Sequence, residues 1–209
     1  MDTDPKALVA RSYDRIAARH AAWAERTRAE ERERYTALLL ECVPPGAAVL
    51  ELGCGAGVPT TRRLAGRCAV TAVDISAGQL ELARRNVPGA RFLHADMAAL
   101  DFPPATFDAV AAFYSLIHVP RDEHPALLAR IARWLRPGGW FVASLGARSN
   151  AAGYEDDWLG TPMYWSHFDA ATNRRLIEAV GLRIVLAREE TADEDGVPAT
   201  FLWVVAQAS

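Results

Sequence analysis

Three glycines alternate in the stretch Glu51-Leu52-Gly53-Cys54-Gly55-Ala56-Gly57. Glycine at alternate positions lets a backbone turn sharply and approach a ligand with no Cβ in between. Two aspartates follow at telling positions: Asp74, about twenty residues beyond the glycine run, and Asp96, after the next apolar segment. A carboxylate at the first spacing accepts both hydroxyls of a ribose. Asp96 suits a donor such as an exocyclic amine, and Glu51 suits a loop N–H or a cation. Phosphate is not the expected ligand. Gly57 is followed by Val58-Pro59 where a Walker loop needs Gly-Lys-Ser/Thr, and the dinucleotide fingerprint GxGxxG needs glycine where Val58 stands.

Such groups act together only if neighbouring strands deliver them to one rim. The punctuation of the chain supplies that order. Pro45-Gly46 precedes the apolar run Ala47–Leu52, Pro88-Gly89 precedes Ala90–His94, Pro137-Gly138-Gly139 precedes Trp140–Leu145, and Gly181 precedes Leu182–Leu186. Helical patterns over Tyr35–Glu41, Ser76–Asn86 and Asp122–Leu135 come before the first three. A helix ending in Pro or Gly and passing into an apolar run is half of a βαβ unit. The central runs Ala48–Leu50, Val70–Val73 and Ala109–Phe113 are nearly continuous in apolar residues, as strands covered on both faces are. The fold class is therefore α/β, with a doubly wound, mostly parallel sheet. Leu182–Glu190 and Thr200–Ala208 are separated only by the polar turn Ala192–Gly196, too short for a crossover, so this last pair is antiparallel. The first forty residues read as helix, and the charged run Arg26–Arg34 within them is expected to form a solvated face of mixed-sign pairs, ahead of an interaction patch.

Ligands of an open parallel sheet sit outside the carboxyl ends of its strands. That rim is expected to offer acceptors and no lysine, which fits a nucleoside with a diol, an amine and an ammonium but no phosphate. S-adenosylmethionine (SAM) is such a ligand. The stretch Glu51–Gly57 resembles motif I of class I SAM-dependent methyltransferases, Val73-Asp74-Ile75-Ser76 their second motif, and Ala95-Asp96-Met97 their third. Phe107–Phe113 is similar to their fourth strand, and Leu135-Arg136-Pro137-Gly138-Gly139 to the turn before their fifth. The likeness covers roughly residues 35–145. It implies a seven-stranded sheet of order 3-2-1-4-5-7-6, strand 7 antiparallel, with an N-terminal helical cap. It also implies that Gly53, Gly55 and Gly57 line the methionine part of SAM, Asp74 holds the ribose, Ile75 packs on the adenine, Asp96 and Met97 frame its edge, and the backbone at Phe113 meets the ammonium. Glu51 and Tyr13 complete the expected cofactor set, Tyr13 by closing over the ligand.

A methyl group on a sulfonium is already electrophilic, so the protein has mainly to exclude water, align the nucleophile and, for an oxygen or nitrogen, receive its proton. His118 and His167 are the candidate bases. Tyr114, Trp158, Tyr164 and Trp165 are the candidate substrate wall, since aromatic side chains with polar tips suit a planar or amphipathic molecule. Tyr13, His20 and Trp23 of the N-terminal helix face the same task. The expected organisation is one domain over residues 1–209, with a helical cap at 1–43 and a lid insertion at 148–168. The expected activity is in-line methyl transfer from SAM to oxygen or nitrogen of a small metabolite, ahead of carbon or sulfur. The alternative is a SAM-binding protein or a non-methylating enzyme on the same fold. A nucleotide-dependent oxidoreductase is disfavoured by the missing GxGxxG.

Composition narrows the partners. A net charge of -3 and a pI of about 6.0 provide no basic field for nucleic acid or anionic lipid. Cys42, Cys54 and Cys68 are odd in number and lack CxxC spacing, so neither disulfides nor a metal site is expected. With no basic-then-apolar leader and no apolar run of about 20 residues, a cytoplasmic protein is expected, a monomer or homodimer without membrane or nucleic-acid partners.

Overall fold

The computed structural model describes residues 4–209. Its element order is α1 (Pro5–Arg26), α2 (Ala29–Cys42), β1 (Ala48–Leu52), α3 (Thr60–Ala65), β2 (Ala69–Asp74), α4 (Ala77–Asn86), β3 (Arg91–His94), β4 (Phe107–Ala112), α5 (His124–Trp134), β5 (Leu135–Gly146), β6 (Asn150–Trp158), β7 (Thr161–His167), α6 (Ala170–Ala179), β8 (Leu182–Glu194) and β9 (Val197–Ala208). Seven strands form one sheet in the order β3-β2-β1-β4-β5-β9-β8. All neighbours from β3 to β5 are parallel, and β9 runs antiparallel to both β5 and β8. β6 and β7 pair only with each other, so β8 and β9 are the sixth and seventh strands of the sheet, and the expected order holds.

Alternation along the central strands divides the core in two. On β4, Val110 and Ala112 join Leu50, Leu52, Leu127, Ile131 and Trp134 beneath α5 and α6. Ala109 and Ala111 face the other way, with Val49, Tyr35, Leu39, Leu64, Leu80 and Trp203 beneath α2, α3 and α4. Neither face of these strands meets water, which is why their sequences carry no polar stripe. The closing turn is tighter than expected. The β8–β9 ladder continues through Glu194–Val197, leaving Asp195 (φ 54°) and Gly196 (φ 92°) as a two-residue turn with both φ positive, the geometry that suits the right-handed strand twist.

The N-terminal cap corrects one expectation. Asp4 caps α1 by accepting from the Lys6 N–H, and the helix ends at Thr27, where Arg28 adopts a left-handed conformation and starts α2 at a new angle. That break turns Arg28, Glu31 and Arg32 inward, and all three are buried. The charged run is thus solvated only in part: Arg26, Glu30, Glu33 and Arg34 stay exposed. α1 lies against β7 and α4, where Val9, Met163 and Tyr164 form a third, smaller apolar cluster. The segment expected as a lid insertion is the β6–β7 hairpin, its first strand mostly exposed and its second mostly buried.

Candidate functional site

The rim at the carboxyl ends of β1, β2 and β4 borders three neighbouring cavities of about 790, 390 and 340 Å³. Asp74 ends β2 and is buried. Its Oδ2 accepts the Gly55 N–H at 2.8 Å and its Oδ1 the Ser76 N–H at 2.9 Å. Burial raises its pKa, and the two N–H donors pull it back. Asp74 therefore braces the glycine loop, while each oxygen keeps a lone pair for a further donor. Asp14 of α1 accepts from Ser76 Oγ at 2.6 Å and from the Gly78 N–H at 2.9 Å, tying the cap to this edge.

The three glycines do different work. All have positive φ. A Cβ on Gly53 would run into Ser115 Cβ, so its bareness admits a protein neighbour although it also lines the largest cavity. Gly55 opens onto the cavity, where its nearest neighbours are the His20 ring at 3.7 Å and Gln79 Oε1 at 3.8 Å. Gly57, expected against the ligand, faces Val87 and Ala83 at 3.2–3.3 Å and sets how closely α4 packs.

Glu51 is 4% exposed on the wall of the same cavity, and its Oε2 has no hydrogen-bond partner among the described residues. Burial pushes its pKa up to about 8. An orphaned buried carboxyl is costly in isolation and calls for a donor or a cation from the cavity side.

At the other end, Asp96 lies just past β3 and caps the turn Met97–Ala99 by accepting the Ala98 N–H at 2.8 Å. It lines the 340 Å³ cavity with Ile75, Met97 and Lys6. Lys6 Nζ reaches Asp96 Oδ2 at 2.7 Å and Glu123 Oε2 at 2.8 Å. The rim expected to lack lysine holds the chain's only one, delivered by the cap.

Tyr13, His20, His118 and Tyr114 stand where the cavities join. His118 Nδ1 lies 2.9 Å from the Tyr164 carbonyl oxygen, and Nε2 lies 2.8 Å from Tyr13 Oη. A carbonyl only accepts, so Nδ1 carries the proton and Nε2 accepts from Tyr13. Burial lowers the His118 pKa to about 4 and that of His20 to about 3, which leaves both neutral near pH 7. Beyond them, Trp23, Trp158 and Trp165 wall the 390 Å³ cavity, with Arg32, Glu194 and Phe201 on its remaining side.

The structure thus brings Tyr13, Glu51, Gly53, Gly55, Asp74, Ile75, Met97, Phe113, Tyr114 and His118 onto the largest cavity, Asp96 onto its neighbour, and Trp158 and Trp165 onto the aromatic one. It separates others. Tyr164 packs in the small cluster beneath α1 and reaches the site only through its carbonyl. His167 Nδ1 lies 2.6 Å from the Arg148 carbonyl oxygen, and the ring rests on Gly146, away from all three cavities. Lys6 and Arg32 lie outside the set that the sequence points to. Arg32 had a signal: with Arg28, Tyr35 and Leu39 it falls on one helical stripe.

Residues 49–139 match the family model of a methyltransferase domain. The matched segment is less than half of the chain. It contains the glycine loop, Asp74 and Asp96, and the resemblance read over residues 35–145 encloses it. Over 123 residues the chain is 42% identical to the trans-aconitate 2-methyltransferase of Methylobacterium nodulans, a match spanning 56% of this chain and 46% of that protein. Among solved structures it is similar to the 1,6-didemethyltoxoflavin-N1-methyltransferase of Burkholderia thailandensis (TM-score 0.73, 22% identity, 99% of this chain and 91% of that one). The cyclase SpnF is also similar (TM-score 0.72, 18% identity, 95% and 94%). At those identities the chain shares a fold with both and no more. The chain spans about half the length of the curated relatives it matches first.

Proposed function

We propose that this chain binds SAM along the rim and transfers its methyl group to an oxygen or nitrogen atom of a small molecule held in the aromatic cavity. The observation that carries this is the orphaned Glu51 Oε2, a buried oxygen without a partner among the described residues, on a side chain that lines the cavity beside a glycine bend. It fits the ammonium of SAM, as the free lone pairs of Asp74 fit a ribose diol and Asp96 fits an adenine amine. Ile75 and Met97 flank the adenine edge, the backbone at Phe113 meets the amino-acid end, and Tyr13 closes over it. When bound, SAM supplies a methyl carbon open to attack in line with the carbon–sulfur bond.

The remaining work belongs to the chain. The aromatic wall excludes water and orients the acceptor. His118, neutral with Nε2 unprotonated, takes the acceptor's proton, and the Tyr164 carbonyl holds its ring in that tautomer. Tyr13 must yield its hydrogen bond to His118 or relay the proton. The surface charge gives no reason to invoke nucleic acid, and no helix among the described residues is long and apolar enough to cross a membrane. We place the protein in the cytoplasm as a monomer or homodimer.

The test is incubation with methyl-labelled SAM and fractionated small metabolites. Label appearing in a small product, with one S-adenosylhomocysteine (SAH) released per methyl, supports transfer. A second reading, a non-methylating SAM protein, draws on the occupation of His118 Nε2 by Tyr13. Recovery of SAM intact from every fraction favours it and removes the first.

A further inference from the structure

Arg32 is a buried charge with no direct ion pair, in the field of Glu194 on the same cavity wall. It is 7% exposed, yet no carboxylate among the described residues pairs with it. The acids beside it, Glu31 and Glu194, are both engaged by Arg28. Arg32 Nη1 donates to the Thr27 carbonyl and, at 3.3 Å, to that of Ala24, while Nε and Nη2 have no hydrogen-bond partner among the described residues. Burial lowers its pKa. A buried guanidinium without a direct ion pair is expensive. The fold holds it there all the same, 4.5 Å from the Tyr114 ring centre and facing both the largest and the aromatic cavity.

Two further donors stand unspent around it. Tyr114 adopts φ 54°, a left-handed conformation that costs an aromatic residue about 1–2 kcal/mol. Its hydroxyl is buried with no hydrogen-bond partner among the described residues. His20 Nδ1 lies 3.0 Å from the Gln79 amide nitrogen, which can only donate, so the proton of His20 is on Nε2. Arg32 and His20 therefore line a space walled by three indoles, with the buried Tyr114 phenol beside them. Acceptors dominate the rim and donors dominate this end.

We propose that the aromatic cavity recognises a planar acceptor bearing a carboxylate, which takes the free edge of Arg32 while its ring lies among Trp23, Trp158 and Trp165. Arg32 is a specificity residue here, since a guanidinium presents parallel N–H bonds to a carboxylate and is poorly matched to an amide or an amine. The proposal rests on the rim being the cofactor site, because only then is this cavity left for the acceptor.

The test uses protein saturated with SAH and three probes on one ring system: naphthoate, naphthamide and naphthylamine, titrated calorimetrically. Naphthoate is expected to bind at least about tenfold tighter than the other two. Arg32→Gln should erase that preference with SAH affinity unchanged, and Tyr114→Phe should weaken naphthoate severalfold. The proposal is overturned if the amide or amine binds as well as the carboxylate, if no probe binds the SAH-loaded protein, or if Arg32→Gln keeps the preference. Should Arg32→Gln not fold, the wild-type probe series and Tyr114→Phe decide alone. Failure of SAH itself to bind would count against the cofactor site instead, and the same series on the free protein would then decide the carboxylate preference.

Discussion

Lys6 Nζ lies 2.7 Å from Asp96 Oδ2, so the first turn of the N-terminal helix is latched to the edge of the cavity where an adenine amine would bind. Glu123 Oε2 holds the same ammonium from the turn before α5. Desolvation pulls the Lys6 pKa down, but both partnerships outweigh it and raise the pKa, so the ammonium keeps its proton at neutral pH. The cap and the rim thereby form one unit, and entry of a nucleoside requires Asp96 to share or exchange its partner.

Lys6→Met should release the latch. Part-exposed ion pairs contribute little, so the melting temperature should change by less than the equivalent of about 1 kcal/mol. Stopped-flow binding of SAH should show both association and dissociation accelerated. Unchanged rates would mean that α1 does not gate the rim.

The glycines separate into two classes by what a methyl group would meet. Gly53→Ala drives Cβ into Ser115 at a positive φ, and strain plus overpacking should cost about 2–5 kcal/mol. Gly55→Ala finds its nearest neighbour at 3.7 Å and should cost about 1–2 kcal/mol, from the backbone alone. Denaturant titration measures both. Ser115→Gly should recover part of the Gly53→Ala loss in a double-mutant cycle, and additive costs would refute the contact.

On the proposed cofactor site, Glu51 should make SAH affinity depend on pH. Its carboxyl, with a pKa pushed up to about 8, is protonated in the free protein at neutral pH. An ammonium beside it favours the carboxylate, so binding expels a proton and SAH affinity should rise as pH increases toward about 8. Calorimetry in buffers of different ionisation enthalpy reads the released proton directly. Glu51→Gln should abolish both the release and the pH slope, and weaken binding on the order of tenfold.

The buried histidines act on stability in the opposite range. His118 and His20 have folded pKa values of about 4 and about 3, below the unfolded value of 6.5, so the unfolded chain binds more protons between those limits. Their contribution is complete above about pH 6.5 and is lost as pH falls toward 4. Thermal melts from pH 7 down to pH 4 should show this decline, with His118→Gln flattening it. An equal decline in that variant would place the acid sensitivity elsewhere.

Much of this site was legible in the sequence because the central strands are buried on both faces. Runs such as Ala109–Phe113 could be nothing but strands, and strand ends then fixed where Glu51 and Asp74 must lie. Asp96 lies past the end of β3 at His94 and caps the next turn. What escaped was set by long-range packing. Arg28 and Arg32 look solvated by type, and only the left-handed break at Arg28 and the closure of β8–β9 over them turn them inward. The β6–β7 hairpin is poor in β-branched residues and owes its pairing to the burial of Met163 and Tyr164 beneath α1. Gly57 was read as a ligand contact because a missing side chain does not show which neighbour requires it.

Calorimetric titration of SAH into the wild-type protein and Asp74→Ala tests the central claim most directly. Saturable binding at a single site, weakened on the order of 100-fold in Asp74→Ala, is the predicted result, since the ribose would lose two charge-assisted hydrogen bonds. No binding to the wild type, or equal binding to both proteins, would contradict it.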